Sequence, residues 1–202
     1  MILLALVPSL AGAHRVAELL RRDAVTPDNA RFMAAPTSAL LHLVASVIFA
    51  LLGAFQFSPG LRARRPAWHR LAGRVFVVCG LVSGVTALWL TLTYPHVETD
   101  GPALFYIRLL VAPPMLISLI LGFAAIRRWD VTAHRAWMMR AYALGMGAGT
   151  QVLTHLPYFI IVRGAPRGWT RDSLMGAGWL INVLVAEWII RRQPRLAANS
   201  DR

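Results

Sequence analysis

Long apolar runs, separated by short segments that carry arginine, dominate the pattern along the chain. A helix needs roughly 20 consecutive apolar residues to cross the hydrocarbon core of a bilayer. Five runs are of about this length, at residues 39–57, 71–93, 103–126, 136–162 and 173–190. The pattern therefore predicts an all-α fold: a polytopic transmembrane helical bundle of about six helices, counting an N-terminal segment.

The first 20 residues form this N-terminal segment, which has two interpretations. Residues 1–13 are largely apolar, and they end in Ala11-Gly12-Ala13, which resembles the cleavage site of a signal peptide. No Lys or Arg precedes the apolar stretch, however, and the stretch is short, so we favour a retained peripheral helix. A single membrane domain then covers residues 1–202, with a four-helix core at 39–162, a last helix at 173–190 and a tail at 191–202.

The composition agrees with a membrane protein. Hydrophobic residues make up 57% of the chain and charged residues only 15%, whereas soluble domains have about 25% charged residues. The single cysteine, Cys79, excludes an intrachain disulfide, a CxxC redox pair and a cysteine-ligated zinc site. The net charge of +12 comes from arginines that lie between the apolar runs, which is typical of membrane flanks and not of a nucleic-acid groove. We therefore expect the lipid bilayer as a partner, and no nucleic acid.

The arginines also predict an orientation, because connections rich in arginine stay in the cytoplasm. One set of connections carries ten arginines, namely Arg62, Arg64, Arg65, Arg70, Arg127, Arg128, Arg135, Arg191, Arg192 and Arg195. The alternate set carries six, namely Arg21, Arg22, Arg31, Arg163, Arg167 and Arg171. Both termini are therefore predicted to lie in the cytoplasm, with the chain in a bacterial cytoplasmic membrane. The loop at 163–171 fits this orientation least well.

Two parts of the chain resemble each other. In each, an apolar run is followed by an arginine-rich turn and then by a helix that opens with His-Arg, at His69 and at His134. A further arginine follows within the helix, Arg74 in the first unit and Arg140 in the second. This indicates two tandem hairpins, as in the parallel repeats of some membrane proteins. The alternative is that cytoplasmic turns resemble one another through their shared charge bias.

The same two stretches carry a family resemblance. They read GAFQFSPGLRARRPAWHRLAGRVFVVCGLVSG and AIRRWDVTAHRAWMMRAYALGMGAGTQ. Together they resemble the bacterial predicted-membrane-protein family known as domain of unknown function 2306, over roughly residues 40–154. The resemblance implies a multi-helix membrane core with a histidine in its first helix, which His42 matches here. It implies no reaction.

Several histidines are predicted to lie at matched depths on separate helices. His42 and His155, with His14, fall near one membrane face, and His69 and His134 fall near the other, while His96 lies in a loop and is expected to be solvated. Paired histidines of this kind suit the bis-imidazole ligation of haem b. Glycines within the run 145–149 leave room for such a macrocycle or for a quinone. The alternative is that the histidines contact lipid headgroups and that the glycines pack against neighbouring helices.

Charged residues inside the apolar runs are the other candidate site. Arg74, Arg140 and Arg108 each lie about two turns inside a predicted helix, and Glu187 is the one carboxylate in the inner part of a helix. Arginine in hydrocarbon is costly unless it finds a partner or reaches the interface. We therefore predict that Glu187 pairs with Arg74 or Arg140, with snorkelling of the arginines to phosphate as the alternative.

The function follows less directly than the fold. Walker A, HExxH, GxSxG and Rossmann patterns are absent from the sequence, so an enzymatic activity stays open. The leading hypothesis is a redox protein that binds haem b or a quinone. The rivals are a small-solute transporter, for which Pro113-Pro114 marks a kinked helix, and a non-catalytic membrane scaffold. A membrane-protein partner or a homo-oligomer fits any of them.

Overall fold

The computed structural model describes residues 2–21, 23–26, 29–95 and 97–200, with side chains up to residue 192 except those of residues 2 and 31. His96 lies outside the described residues. The described residues form helices joined by turns and loops, and their one β-type pairing is an isolated bridge between Asp100 and Gly168. The helices are α1 (Ile2–Arg21), α2 (Ala30–Ala34), α3 (Pro36–Gln56), α4 (Pro59–Arg64), α5 (Pro66–Thr93), α6 (Leu104–Arg127), α7 (Val131–Gly145), α8 (Gly147–Val162) and α9 (Gly168–Ser200).

Five of these helices are long and apolar enough to cross a membrane, namely α1, α3, α5, α6 and α9. The predicted all-α transmembrane bundle is confirmed, and four of the predicted runs correspond to α3, α5, α6 and α9. Proline at the first position fits the start of α3 and of α5, because the first helical N–H needs no partner within the helix.

The fourth predicted run, residues 136–162, does not form one helix. It is divided between α7 and α8, which meet at Met146. The glycines on either side of Met146 allow the break, and the side chain of Asn182 on α9 supports it. Its amide nitrogen donates to the carbonyl oxygen of Ala143 at 3.0 Å, and its oxygen accepts from the Thr150 hydroxyl at 2.7 Å. One α9 residue thereby holds both halves of the broken helix.

The last helix is longer than predicted. It begins at Gly168 and continues to Ser200, so the predicted tail at 191–202 is helical over most of its length. Arg191 and Arg192 lie on its exposed surface.

The hydrophobic core lies where α3, α5, α6 and α7 meet. Phe49 and Phe76 stack with their ring centroids 4.3 Å apart, and Tyr142 packs against both rings. The Tyr142 hydroxyl donates to the carbonyl oxygen of Ala50 at 2.9 Å, which satisfies the one polar group that this tyrosine brings into the core. Leu119 of α6 is fully buried beside them.

The first helix packs against α3 and α8. Pro8 has no N–H to donate to the carbonyl of Leu4 one turn earlier. That carbonyl oxygen lies so close to Gly149 of α8 that a Cβ atom there would overlap it. Glycine at this position therefore permits close contact between α1 and the second half of the broken helix.

Candidate functional site

A groove with a cavity of about 400 Å³ lies between α6, α7 and α9. It is lined by Pro114, Ile117, Ser118, Trp137, Arg140, Leu144, Val183, Ala186 and Glu187. Most of this lining is apolar, and the polar groups come from Ser118, Arg140 and Glu187. We call this feature the lateral groove.

The polar part of the lateral groove lies deep in the bundle. Ser118 precedes the end of α6 at Arg127 by nine residues, and Arg140 follows the start of α7 at Val131 by nine residues. Since a short turn joins these two ends, both side chains start about 14 Å along their helices from the same end of the bundle. Glu187 lies four residues, about 6 Å, before the exposed Arg191 on α9. The polar groups of the groove therefore start between about 6 and 14 Å from the arginine-bearing end of the bundle.

Arg140 and Glu187 form a two-point ion pair in the lateral groove. Nε of Arg140 lies 2.5 Å from Oε1 of Glu187, and Nη2 lies 3.1 Å from Oε2. The Arg140 guanidinium also lies over the ring of Trp137, 4.7 Å from its centroid. The side chains of Arg140 and Glu187 remain 30% and 28% exposed, so both groups also face the groove. The predicted contact of Glu187 with one of the two inner arginines is therefore present, and the arginine is Arg140.

Ser118 supplies a further polar group. The residue is only 3% exposed, and it lines the lateral groove. A serine hydroxyl is one O–H donor with two acceptor positions. Ser118 therefore adds a neutral hydroxyl to the charged pair on the wall of the lateral groove.

The other two predicted buried charges lie elsewhere. Arg74 is exposed on the surface of α5, and Arg108 pairs with Asp100 at the opposite end of the bundle, with Nη1 to Oδ2 at 3.0 Å. The four charges of Arg74, Arg140, Glu187 and Arg108 therefore do not form one cluster.

The opposite end of the bundle holds a second charge cluster, which the sequence analysis missed. Asp100 is buried and pairs with both Arg108 and Arg171. Asp172, only 1% exposed, accepts hydrogen bonds from the backbone N–H groups of Gly101, Ala103 and Leu104 at 2.8 to 3.2 Å. It thereby caps α6 from a position near the start of α9. We call Asp100, Arg108, Arg171 and Asp172 the end cluster.

The histidines predicted near this end are held apart. His42 on α3 faces α5, where its Nδ1 lies 3.1 Å from the carbonyl oxygen of Ser83 and 3.2 Å from the Thr86 hydroxyl. His155 bonds through Nδ1 to the carbonyl oxygen of Gln151 on its own helix, at 2.7 Å. Each of these two histidines therefore bonds to protein through Nδ1, and no contact joins His42 to His155 among the described residues.

The two histidines near the arginine-rich turns, His69 and His134, lie at the starts of α5 and α7. Nδ1 of His134 lies 2.8 Å from the carbonyl oxygen of Gly122. His14 is exposed and lies beside Glu18 on α1. Among the described residues, no three His, Cys, Asp or Glu side chains are arranged to hold a metal ion.

The space beside the glycines of the α7–α8 break is filled by protein. A Cβ atom at Gly145 would overlap the ring of Phe49, one at Gly147 would overlap the ring of Trp179, and Gly149 lies against α1. These glycines therefore serve helix packing, and they leave no slot for a macrocycle.

A comparison with protein families places this architecture. A family model described as "Predicted membrane protein (DUF2306)" matches residues 39–190. The chain belongs to the DUF2306 family. The match covers the lateral groove and the end cluster, and it leaves out α1. No curated protein and no solved structure matches the chain. The family description therefore identifies the chain as an integral membrane protein and goes no further.

Proposed function

We propose that this DUF2306 protein binds a membrane-dissolved quinone in the lateral groove, as part of a redox function in the membrane. The observation that carries the proposal is an apolar groove between transmembrane helices, with an ion pair and a serine hydroxyl on its walls. Ionisable groups inside membrane helices are costly and usually functional.

The size and chemistry of the groove suit such a ligand. Small-molecule sites have volumes of about 300–1,000 Å³, and this cavity has about 400 Å³. The apolar wall fits an isoprenoid tail. A guanidinium has five N–H donors, and Glu187 takes two from Arg140, so Arg140 has donors left for the ring oxygens of a quinone, and Ser118 adds a hydroxyl.

The charge of Glu187 argues against a phospholipid headgroup as the ligand. A phosphate beside Arg140 would also face the Glu187 carboxylate, which carries the same sign of charge. A quinone ring carries polar oxygens and no charge, so it enters the hydrocarbon core while dissolved in the bilayer.

Binding is tested with purified protein in lipid nanodiscs and a short-tailed ubiquinone analogue, by equilibrium dialysis. Val183 lines the groove, so Val183→Phe should fill it and weaken binding at least about tenfold, equivalent to about 1.4 kcal/mol. Val185 on the same helix is 50% exposed and outside the groove lining, so Val185→Phe is the matched control and should bind like the wild type. Absence of binding by the wild type, or equal loss in both variants, would contradict the proposal.

Transport of a small solute is the second candidate, favoured by the break between α7 and α8, because interrupted helices form the binding sites of many transporters. Uptake into vesicles that contain the protein tests it. Haem ligation stays a prediction for His69 and His134. A visible spectrum of the purified protein tests it, since haem b gives a Soret band that His134→Ala should remove.

A further inference from the structure

The carboxylate of Glu187 gives the lateral groove negatively charged hydrogen-bond acceptors, which Arg140 and Ser118 do not supply. Its two oxygens each accept one hydrogen bond from Arg140. An ionised carboxylate has about four acceptor positions and no donor, and the side chain is 28% exposed at the groove. Acceptor positions of an anion are therefore left facing the cavity.

Two arginines lie near Glu187. Arg140 of α7 holds it at two points, and Arg191 follows it by one turn on α9. The α6 residues that line the groove, Pro114, Ile117 and Ser118, bring no titratable group.

The two redox forms of a quinone differ in the groups that such an anion recognises. The oxidised form has carbonyl oxygens, which only accept hydrogen bonds, whereas the reduced form, the quinol, has two O–H donors. A carbonyl beside the Glu187 carboxylate leaves two acceptors facing each other. A quinol hydroxyl instead donates to the carboxylate, and hydrogen bonds to a charged partner are the stronger class.

We infer that the lateral groove binds the reduced quinol in preference to the oxidised quinone, and that Glu187 is the residue that sets this preference. The inference rests on the proposed function. It concerns binding alone, so no electron or proton is transferred in it. Arg140 and Ser118 serve both forms, because each has donors for a carbonyl oxygen and for a hydroxyl oxygen.

The expected preference is about tenfold in dissociation constant, the difference between a charge-assisted hydrogen bond and a missing one after the cost of desolvation. In the variant Glu187→Gln the preference should fall to about threefold or less, because the amide keeps one acceptor oxygen for the guanidinium but loses the negative charge. In Glu187→Asp the charge is retained, and the preference for the quinol should be partly restored.

The test measures the dissociation constants of both redox forms of the same ubiquinone analogue under anaerobic conditions, for the wild type and the two variants in nanodiscs. Tighter binding of the quinol by the wild type, lost in Glu187→Gln, is the expected result. Equal binding of the two forms, or tighter binding of the quinone, overturns the inference and leaves the proposed function intact. A preference that Glu187→Gln retains removes Glu187 from the explanation. Failure of the wild type to bind either form is a different outcome and overturns the proposed function itself.

Discussion

Two sets of charged side chains tie α9 to the rest of the bundle, the end cluster and the ion pair of the lateral groove. In the end cluster, Asp100 is shared by two arginines and Asp172 by three backbone N–H groups, and both carboxylates are almost completely buried. In the groove, one arginine meets one carboxylate, and both stay partly exposed. The arginines of the two sets are about equally exposed, so the difference lies in the carboxylates: those of the end cluster are enclosed by protein, whereas Glu187 has acceptor positions open to the groove.

Under the proposed function, this difference separates a structural role of charge from a ligand-binding role. A buried charge is tolerated when it is paired and hydrogen-bonded, and removing one partner is then strongly destabilising. A charge pair that faces a cavity holds less of the fold together. The end cluster should therefore dominate stability, and the groove pair should dominate ligand binding.

The largest effect is expected for Asp172→Ala. The change leaves the N–H groups of Gly101, Ala103 and Leu104 without an acceptor in a buried place, which should cost about 3 kcal/mol or more of the free energy of unfolding. Unfolding by SDS in mixed micelles, followed by circular dichroism, measures it. Asp172→Asn retains one acceptor oxygen and should lose less. A loss below about 1 kcal/mol for the alanine variant would show that water replaces the carboxylate.

A smaller effect is expected for Gly101→Ala. A Cβ atom at this position would overlap the Asp172 carboxylate and the backbone of Gly168, so the end cluster would have to open, at a cost of about 2 kcal/mol. Gly60 has open space around its Cβ position, and Gly60→Ala is the matched control. The same SDS titration compares the two, and equal stability would mean that the cluster is not tightly packed.

The fold was predictable from the sequence where a helix depends on the local apolar pattern. A site was predictable where a charged residue has few candidate partners in the sequence. Runs of about 20 apolar residues identify spans because the bilayer sets their length. Glu187 was found because no other carboxylate lies in the inner part of an apolar run. Asp100 and Asp172 were missed because they are 72 residues apart in sequence. The signal that could have indicated Asp100 and Asp172 was the scarcity of acidic residues near the ends of the apolar runs that meet at the end cluster.

The break between α7 and α8 shows what local pattern does not contain. Glycines at 145 and 147 permit a break but also occur in continuous transmembrane helices. Two contacts from α9 accompany this break: Trp179, which fills the space beside Gly147, and Asn182, which binds both halves. The lateral groove was missed for the same reason, since Ser118 is an ordinary serine in an apolar run until three helices come together around it.

Arg140 and Glu187, the groove pair, should have coupled effects on the free energy of unfolding, such that the double variant is more stable than Glu187→Ala alone. Glu187→Ala alone leaves the Arg140 guanidinium deep in the bundle without its partner, which should cost about 2 kcal/mol. Replacing both residues by alanine removes the unpaired charge and should recover about 1 kcal/mol of that loss. Unfolding of the wild type, the two single variants and the double variant gives the coupling as a double-mutant cycle. A double variant no more stable than Glu187→Ala would mean that Arg140 alone reaches the interface without cost.

In the end cluster, the coupling between the two arginines should have the opposite sign. The single variants should have the smallest effects on the free energy of unfolding. Asp100 has two arginine partners, so Arg171→Gln leaves Arg108 in place and should cost less than about 1 kcal/mol, as should Arg108→Gln. The double change leaves the Asp100 carboxylate buried, 4% exposed, with no cation beside it, so its cost should exceed the sum of the two single costs. Arg171 and Arg108 are each about 30% exposed, which keeps the singles mild because water replaces part of what is lost. The cycle uses the same SDS titration as the groove pair. If the double variant costs only the sum, water reaches the Asp100 carboxylate in the folded protein, and the end cluster does not differ from the groove pair in being enclosed.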